Sequence, residues 1–359
     1  MQASDLSPYL SPFLGQIEFQ ADPILDGHIH DGWYIQSQHQ DYPQAILQRI
    51  NTHVFPDPVG LMDNIHKVTS YLEERNPSQK QLRIIKTVSG NIFHHASDDS
   101  YWRMFQRIEN CYTSQVTNDL SRIKEAGRVT GEFLKQLQNY PVHSLNVPIP
   151  DFHNTPKRYQ DFLTVLASVD NSGREEVESE IKFLEERAEK FSLLWNALLN
   201  NQLPWRVTHN DTKLDNVLFD IQTHQAVCLI DLDTIMPGSA LFDFGDALRA
   251  MGNPVAEDEA DLKLVQFQLP VFEAYTQGYL AATRDILTKQ EIAWLAISPW
   301  IITMETGIRF LTDYLQGDHY FRIHYPKQNL NRCRTQFKLA ADMEKHFPVM
   351  ESIVENQFC

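Results

Sequence analysis

The stretch from Val207 to Arg249, "VTHNDTKLDNVLFDIQTHQAVCLIDLDTIMPGSALFDFGDALR", decides how the rest of this chain is read. It contains H-x-D-x-x-x-x-N as His209, Asp211 and Asn216. The pattern then predicts two strands, "NVLFD" and "AVCLIDLD", joined by the polar turn "IQTHQ". Transfer of a phosphoryl group from ATP needs a carboxylate that accepts or orients the proton of the attacking hydroxyl. It also needs oxygen ligands that hold Mg²⁺ on the phosphates and a cover that sets the γ-phosphate in line. Asp211, on a tight loop, can be the carboxylate. Asn216 opens one predicted strand and Asp231 closes the next, so a hairpin would place both beside one Mg²⁺. The competing reading is a polar loop before an ordinary hairpin, with Asp215 and Asp220 merely solvated. H-x-D-x-x-x-x-N alone leaves that reading open, and the strand ending in Ile230-Asp231 counts against it.

A second stretch, "ILDGHIHDGWYI" from Ile24 to Ile35, divides two ways. His28 and His30, with Asp26 and Asp31 beside them, resemble the start of a metal site. Gly27 and Gly32 bracket a bend between extended segments, as in a loop folded over phosphates. An H-x-H metal hydrolase would need a regular alternation of strands and helices to carry its later ligands, and none is visible.

The 359 residues are 42% hydrophobic and 22% charged, enough for more than one domain and a substantial core. With 31 basic against 47 acidic residues the formal charge is -16, which argues against nucleic acid or an anionic membrane as a partner. Cys111, Cys228, Cys333 and Cys359 are scattered without a C-x-x-C pair, so neither a disulfide framework nor a thiolate zinc site is expected. "MQASDLSPYL" lacks a basic segment followed by an apolar run, and Ile292 to Met304 is too short to span a bilayer. The expectation is a soluble, cytoplasmic protein.

Up to about Phe105 the pattern predicts strands at Gly15–Phe19, Trp33–Gln38, Gln44–Ile50, Arg83–Val88 and Trp102–Phe105, with one helix over Val59–Glu74. Beyond Asp119 it turns helical over Leu120–Gln138, Gly173–Asn200, Leu262–Thr283, Lys289–Gly317 and Leu330–Phe347. A strand-rich first part, residues 1–105, and a mainly helical second part, 106–359, make an α+β protein of two lobes.

The catalytic segment resembles the aminoglycoside phosphotransferase/choline kinase family, a branch of the protein-kinase-like fold. Within it, "RVTHNDTKLDNVLFD", "IDLDTIMPGSALFDFGDALR" and "METGIRFLTDYLQGDHYF" are similar to the N-acetylhexosamine 1-kinases nearly residue for residue. "DGHI", "AILQRINTHVFPD" and "FHNTPKRYQDF" extend the likeness over residues 20 to 345. The central motif is shared by many substrate classes, and the C-terminal one is far narrower.

That resemblance implies an ATP- and Mg²⁺-dependent kinase acting on the anomeric hydroxyl of an N-acetylhexosamine. Asp211 would be the general base, and Asn216 and Asp231 the metal ligands. Gly27, His28 and Ile29 would cover the nucleotide phosphates and the sugar. Gln48 stands where many members carry the nucleotide lysine, while alternation turns Arg49 to the other face. A hinge over residues 105–113 would offer adenine the backbone from Gln106 to Ile108. The acceptor would meet His28, Asp211, Thr234, Arg309 and Tyr320. Arg309 and Asp313, four residues apart on one helix face, could instead pair with each other. Asp243 and Asp246 are read as helix caps and braces of the catalytic loop, and Asp233 as orienting a neighbouring donor, with a second metal contact as the alternative. The alternatives are a kinase of the same fold acting on choline, homoserine, methylthioribose or an aminoglycoside, or a nucleotide-binding module without turnover. The oligomeric state stays open.

Overall fold

The structure, a computed structural model, describes residues 6–15, 18–25, 29–37, 42–114 and 119–358. The chain forms two compact units. The first comprises Met1–Tyr112, Pro141–Pro150 and Leu218–Met236; the second comprises Thr113–Tyr140, Asp151–Val217 and Pro237–Cys359.

In the first unit, strands β1 (Phe19–Ile24), β2 (Asp31–Ser37), β3 (Ala45–Arg49), β4 (His94–His95) and β5 (Tyr101–Gln106) form an antiparallel sheet in the order β1-β2-β3-β5-β4. Alternation along β2, β3 and β5 buries Trp33, Ile35, Ala45, Leu47, Trp102 and Met104 on one face. A helix the pattern did not predict, α1 (Ser7–Leu14), covers that face with Leu10, Phe13 and Leu14. Its "SPYLSPFL" holds two prolines, but Pro8 sits in the first turn, where a missing N–H costs nothing. The strand expected at Gly15–Phe19 therefore begins only at Phe19. The segment expected as a strand at Arg83–Val88 makes a single bridge, Ile84 to Phe105, because the Val88 N–H turns away to the Pro12 carbonyl at 2.9 Å. Helix α2 (Pro58–Arg75) starts where Asp57 accepts the Gly60 N–H at 2.9 Å, and it buries Leu61, Ile65, Val68 and Leu72 at helical spacing.

In the second unit, α3 (Leu120–Gln136) is followed by α4 (Thr155–Ser168), capped by Asn154. The long helix expected over Gly173–Asn200 is three: α5 (Asn171–Glu176), α6 (Glu178–Glu185) and α7 (Leu193–Leu199), and the first two are separated by buried Val177 at φ −116°. Helix α8 (Ala240–Met251) is capped by Ser239. Asp243 and Asp246 thus lie inside α8, which corrects the expectation that they cap it.

Helix α9 (Leu269–Thr283) packs on α3 with backbones almost touching. A Cβ at Gly127 or Gly278 would collide with the opposite helix's main chain. The run expected over Lys289–Gly317 divides into α10 (Lys289–Ala293) and α11 (Ser298–Gln316), with Pro299 in the first turn of the latter. Helix α12 (Gln328–Phe358) outruns its expected end because Met350 and Val354 continue its buried face. No helix among the described residues is long and apolar enough to cross a membrane.

Candidate active site

The H-x-D-x-x-x-x-N loop lies in the second unit, between strand Arg206–Thr208 and a 3₁₀ turn at Leu214–Asn216. Its backbone is held by α8. Asp243, 2% exposed, accepts the N–H groups of His209 at 3.0 Å and Asn210 at 2.6 Å. Asp246 accepts the Thr212 N–H at 3.0 Å, and Arg249 holds Asp246 in turn at 3.0 Å. Asp243 and Asp246 brace the loop, as read from the sequence.

Three contacts directed at Asp211 shape the loop tip. The Asn216 side-chain amide donates to the Asp211 carbonyl at 2.8 Å and to its carboxylate at 2.9 Å. Lys213 Nζ reaches the same carboxylate oxygen at 3.2 Å. Burial works to raise the Asp211 carboxyl, but Lys213, His209 and these hydrogen bonds outweigh it and hold the carboxyl below its usual range. Asp211 is therefore a carboxylate at neutral pH. With both amide hydrogens of Asn216 directed at Asp211, its Oδ1 is left as a hard oxygen donor suited to a cation. Lys213 was missed by the sequence reading, though its place two residues beyond Asp211 was the available signal.

Asp231 lies in the first unit, just past strand Ala226–Leu229, and takes the left-handed conformation at φ 61°, ψ 61°. A 3₁₀ turn, Leu232–Thr234, follows, and Thr234 is buried within it. Asp233 is gripped by Arg103 on β5: Nη1 donates to one carboxylate oxygen, and Nη2 to the other at 2.8 Å. Burial opposes ionisation of Asp233, but the Arg103 charge and the His30 and Arg103 hydrogen bonds win, and its carboxyl is driven far below the usual range. Arg103 Nε also donates to Gln48 Oε1 at 3.0 Å. Gln48 is thus an acceptor for an arginine directly opposite it on the neighbouring strand. A lysine at this position would clash electrostatically with that arginine.

His30 settles half of the H-x-H question. Its Nε2 is 2.5 Å from Asp233, and its Nδ1 accepts the Asn51 N–H at 3.0 Å. Both ring nitrogens are engaged, so His30 is not a metal ligand. Gly27 and His28 lie outside the described residues. Ile29 is 41% exposed, and its carbonyl accepts from Asn51 at 3.2 Å. At the expected hinge, the Gln106 N–H is taken by the Arg83 carbonyl at 2.9 Å and that of Arg107 by Gln44 at 2.8 Å. The described residues contain no group of three or more His, Cys, Asp or Glu side chains able to hold a metal. The oxygen donors Asn216 and Asp231 suit Mg²⁺ by chemistry.

Arg309 and Tyr320 come together in the second unit. The Arg309 guanidinium lies 5.3, 5.8 and 5.3 Å from the ring centres of Phe152, Tyr320 and Phe321. It does not pair with Asp313. That carboxylate instead accepts the N–H groups of His319, Tyr320 and Phe321 at 3.0, 2.7 and 2.9 Å. Gly317, at φ 94°, ends α11 and lets the chain turn back to reach Asp313. Beside Arg309 stands Arg158, whose buried Nε has no partner and whose charge is disfavoured first by burial and then by Arg309. Glu305, one turn earlier on α11, is occupied by His153 at 2.9 Å and Thr155 at 2.6 Å.

The profile of the phosphotransferase enzyme family matches residues 20–282, and the chain belongs to that family. Among solved structures it is similar to a microcompartment-associated aminopropanol kinase, at 16% identity and TM-score 0.64 over 97% of each chain. It is similar to an amicoumacin kinase in complex with AMP-PNP and Ca²⁺, at 13% identity and TM-score 0.55 over 98% of this chain and 92% of that one. It is also similar to a Plasmodium vivax ethanolamine kinase, at 14% identity and TM-score 0.58 over 93% and 85%. The fold is that of a kinase-like α+β protein with a small antiparallel sheet and a mainly helical remainder.

Proposed function

We propose that the protein is an ATP- and Mg²⁺-dependent kinase that phosphorylates the anomeric hydroxyl of an N-acetylhexosamine, giving the sugar 1-phosphate. Asp211 takes the hydroxyl proton as the anomeric oxygen bonds to the γ-phosphorus and the bond to the β–γ bridging oxygen breaks, releasing ADP. Asn216 and Asp231 are the Mg²⁺ ligands, and the metal supplies charge neutralisation on the phosphates when bound. Lys213 keeps Asp211 ionised. Adenine reads backbone groups near Gln106 to Ile108, with Gly27, His28, Ile29 and Gln48 on the phosphate side. Thr234, Arg309 and Tyr320 face the sugar.

The observation that carries the acceptor class is the Arg309 guanidinium against aromatic rings, with Arg158 beside it and Glu305 already engaged. Aminopropanol and ethanolamine, named for two of the similar structures, carry an ammonium group at neutral pH, which this wall repels. A neutral polyol with an acetyl oxygen suits guanidinium donors.

The test is ATP consumption across a panel of N-acetylhexosamines, plain hexoses and amino alcohols, with phosphorus NMR of the product. Arg309→Ala should raise KM for the sugar about tenfold or more and leave KM for ATP nearly unchanged, on the scale of about 1–3 kcal/mol for a charged hydrogen bond. Turnover of ethanolamine in preference to any sugar, or phosphate on the 6-hydroxyl, would refute the assignment.

A further inference from the structure

We propose that Arg103 and His30 are positioning residues that act through Asp233 to hold the Asp231 turn in its cation-binding form. The proposal rests on the reading of Asp231 as a metal ligand. Arg103 is 1% exposed and engages all three of its guanidinium nitrogens inside the unit: Nε on Gln48, Nη1 and Nη2 on Asp233. A guanidinium so committed is no phosphate ligand; its work is to fix Asp233. His30 grips the same carboxylate at 2.5 Å. Because Nδ1 accepts a backbone N–H from Asn51, the ring proton sits on Nε2 and is donated to Asp233. The His30 ring is backed in turn by Phe55, with centres 5.6 Å apart.

The three-residue turn that contains Asp233 begins directly after Asp231, and Asp231 carries φ 61°, ψ 61°. Aspartate enters this left-handed region more readily than most non-glycine residues, but at a cost that leaves the conformation open to its surroundings. The carboxylate two residues along is a handle by which β5 and the loop before β2 hold the turn. A second strut, Asn64 Nδ2 on the Ile235 carbonyl at 2.9 Å, holds the far side of the turn. Releasing Asp233 would let Asp231 relax to ordinary backbone angles and swing its carboxylate away from the cation. The loss should fall on metal-dependent nucleotide binding and spare the acceptor.

Calorimetry of AMP-PNP binding to the full chain, with and without Mg²⁺, tests this without requiring turnover. In Arg103→Lys, which keeps the charge and loses the fork, and in Asp233→Asn, the affinity gained from Mg²⁺ should fall about tenfold or more. Affinity without Mg²⁺ should stay within about twofold. The double variant should be no worse than the worse single one, since both remove one contact. Folded variants that keep the full Mg²⁺ gain, or losses that add in the double variant, would overturn the proposal. Should Arg103→Lys and Asp233→Asn fail to fold, His30→Gln decides: a drop of about threefold supports it, and an unchanged gain overturns it. A wild-type chain whose nucleotide affinity ignores Mg²⁺ would overturn the ligand assignment of Asp231 itself, a result distinct from the others.

Discussion

Asp233 and Asp243 are buried to nearly the same degree, 4% and 2% exposed, and each braces a turn that carries a functional candidate. They are held by opposite means. Asp243 receives neutral backbone N–H groups from His209 and Asn210. Burial dominates there, and its carboxyl is raised despite His209 and those hydrogen bonds. Asp233 receives a guanidinium fork and an imidazole, and its carboxyl is pulled far below the usual range. Backbone donors fix a loop's shape without cancelling the cost of burying charge. A charged partner cancels it, but leaves each half costly if the other is removed.

The sharpest break in the comparison is functional. Asp211→Asn should lower kcat by about 10²–10⁴-fold while leaving Mg²⁺-dependent nucleotide affinity intact, because in the proposed mechanism the loop that Asp243 braces serves the attacking hydroxyl. Asp231→Ala should lose both turnover and that affinity. Steady-state kinetics beside calorimetry would show the split, and equal effects of the two changes on nucleotide binding would erase it.

A middle-sized effect concerns Asp243 itself. Asp243→Asn keeps the shape but can satisfy only part of the two backbone donors, so unfolding free energy should fall by about 1–3 kcal/mol at neutral pH. The pH dependence has a definite sign. The folded carboxyl titrates above its unfolded value near 3.9, so the folded state binds a proton more readily than the unfolded one between those two values. Wild-type stability therefore gains from this residue as pH falls through the folded value, while the asparagine variant does not. Urea midpoints should diverge on acidification; converging curves would contradict the raised carboxyl.

The smallest effect lies at the start of α8. Ser239 accepts the Leu241 N–H at 3.3 Å, and Ser239→Ala should cost about 1 kcal/mol in thermal or urea unfolding with no change in the nucleotide measurements. A change in nucleotide affinity there would show that the loop brace depends on the whole helix and not on Asp243 alone.

What the chain declares by itself is local. Asp211, Asn216 and Asp231 could be picked out as candidates because they follow one another closely along the chain, and Gly317 ends α11 where a glycine after a periodic run should. Most helices are legible because their buried faces repeat at helical spacing. The tertiary structure decided the rest. Helix α1 carries no strong pattern of its own and exists because the sheet face needs covering. The break at Val177 was set by packing, whereas the one before α11 follows from Pro299 itself. Arg103 and Asp233 stand 130 residues apart, and no local pattern tells that β5 lies beside β3 or that the Asp231 turn reaches it. The same holds for Arg309, for which the i+4 carboxylate was only the alternative partner. Three backbone N–H groups beyond the helix end claimed Asp313 instead, since folding the chain back buries donors that must be satisfied.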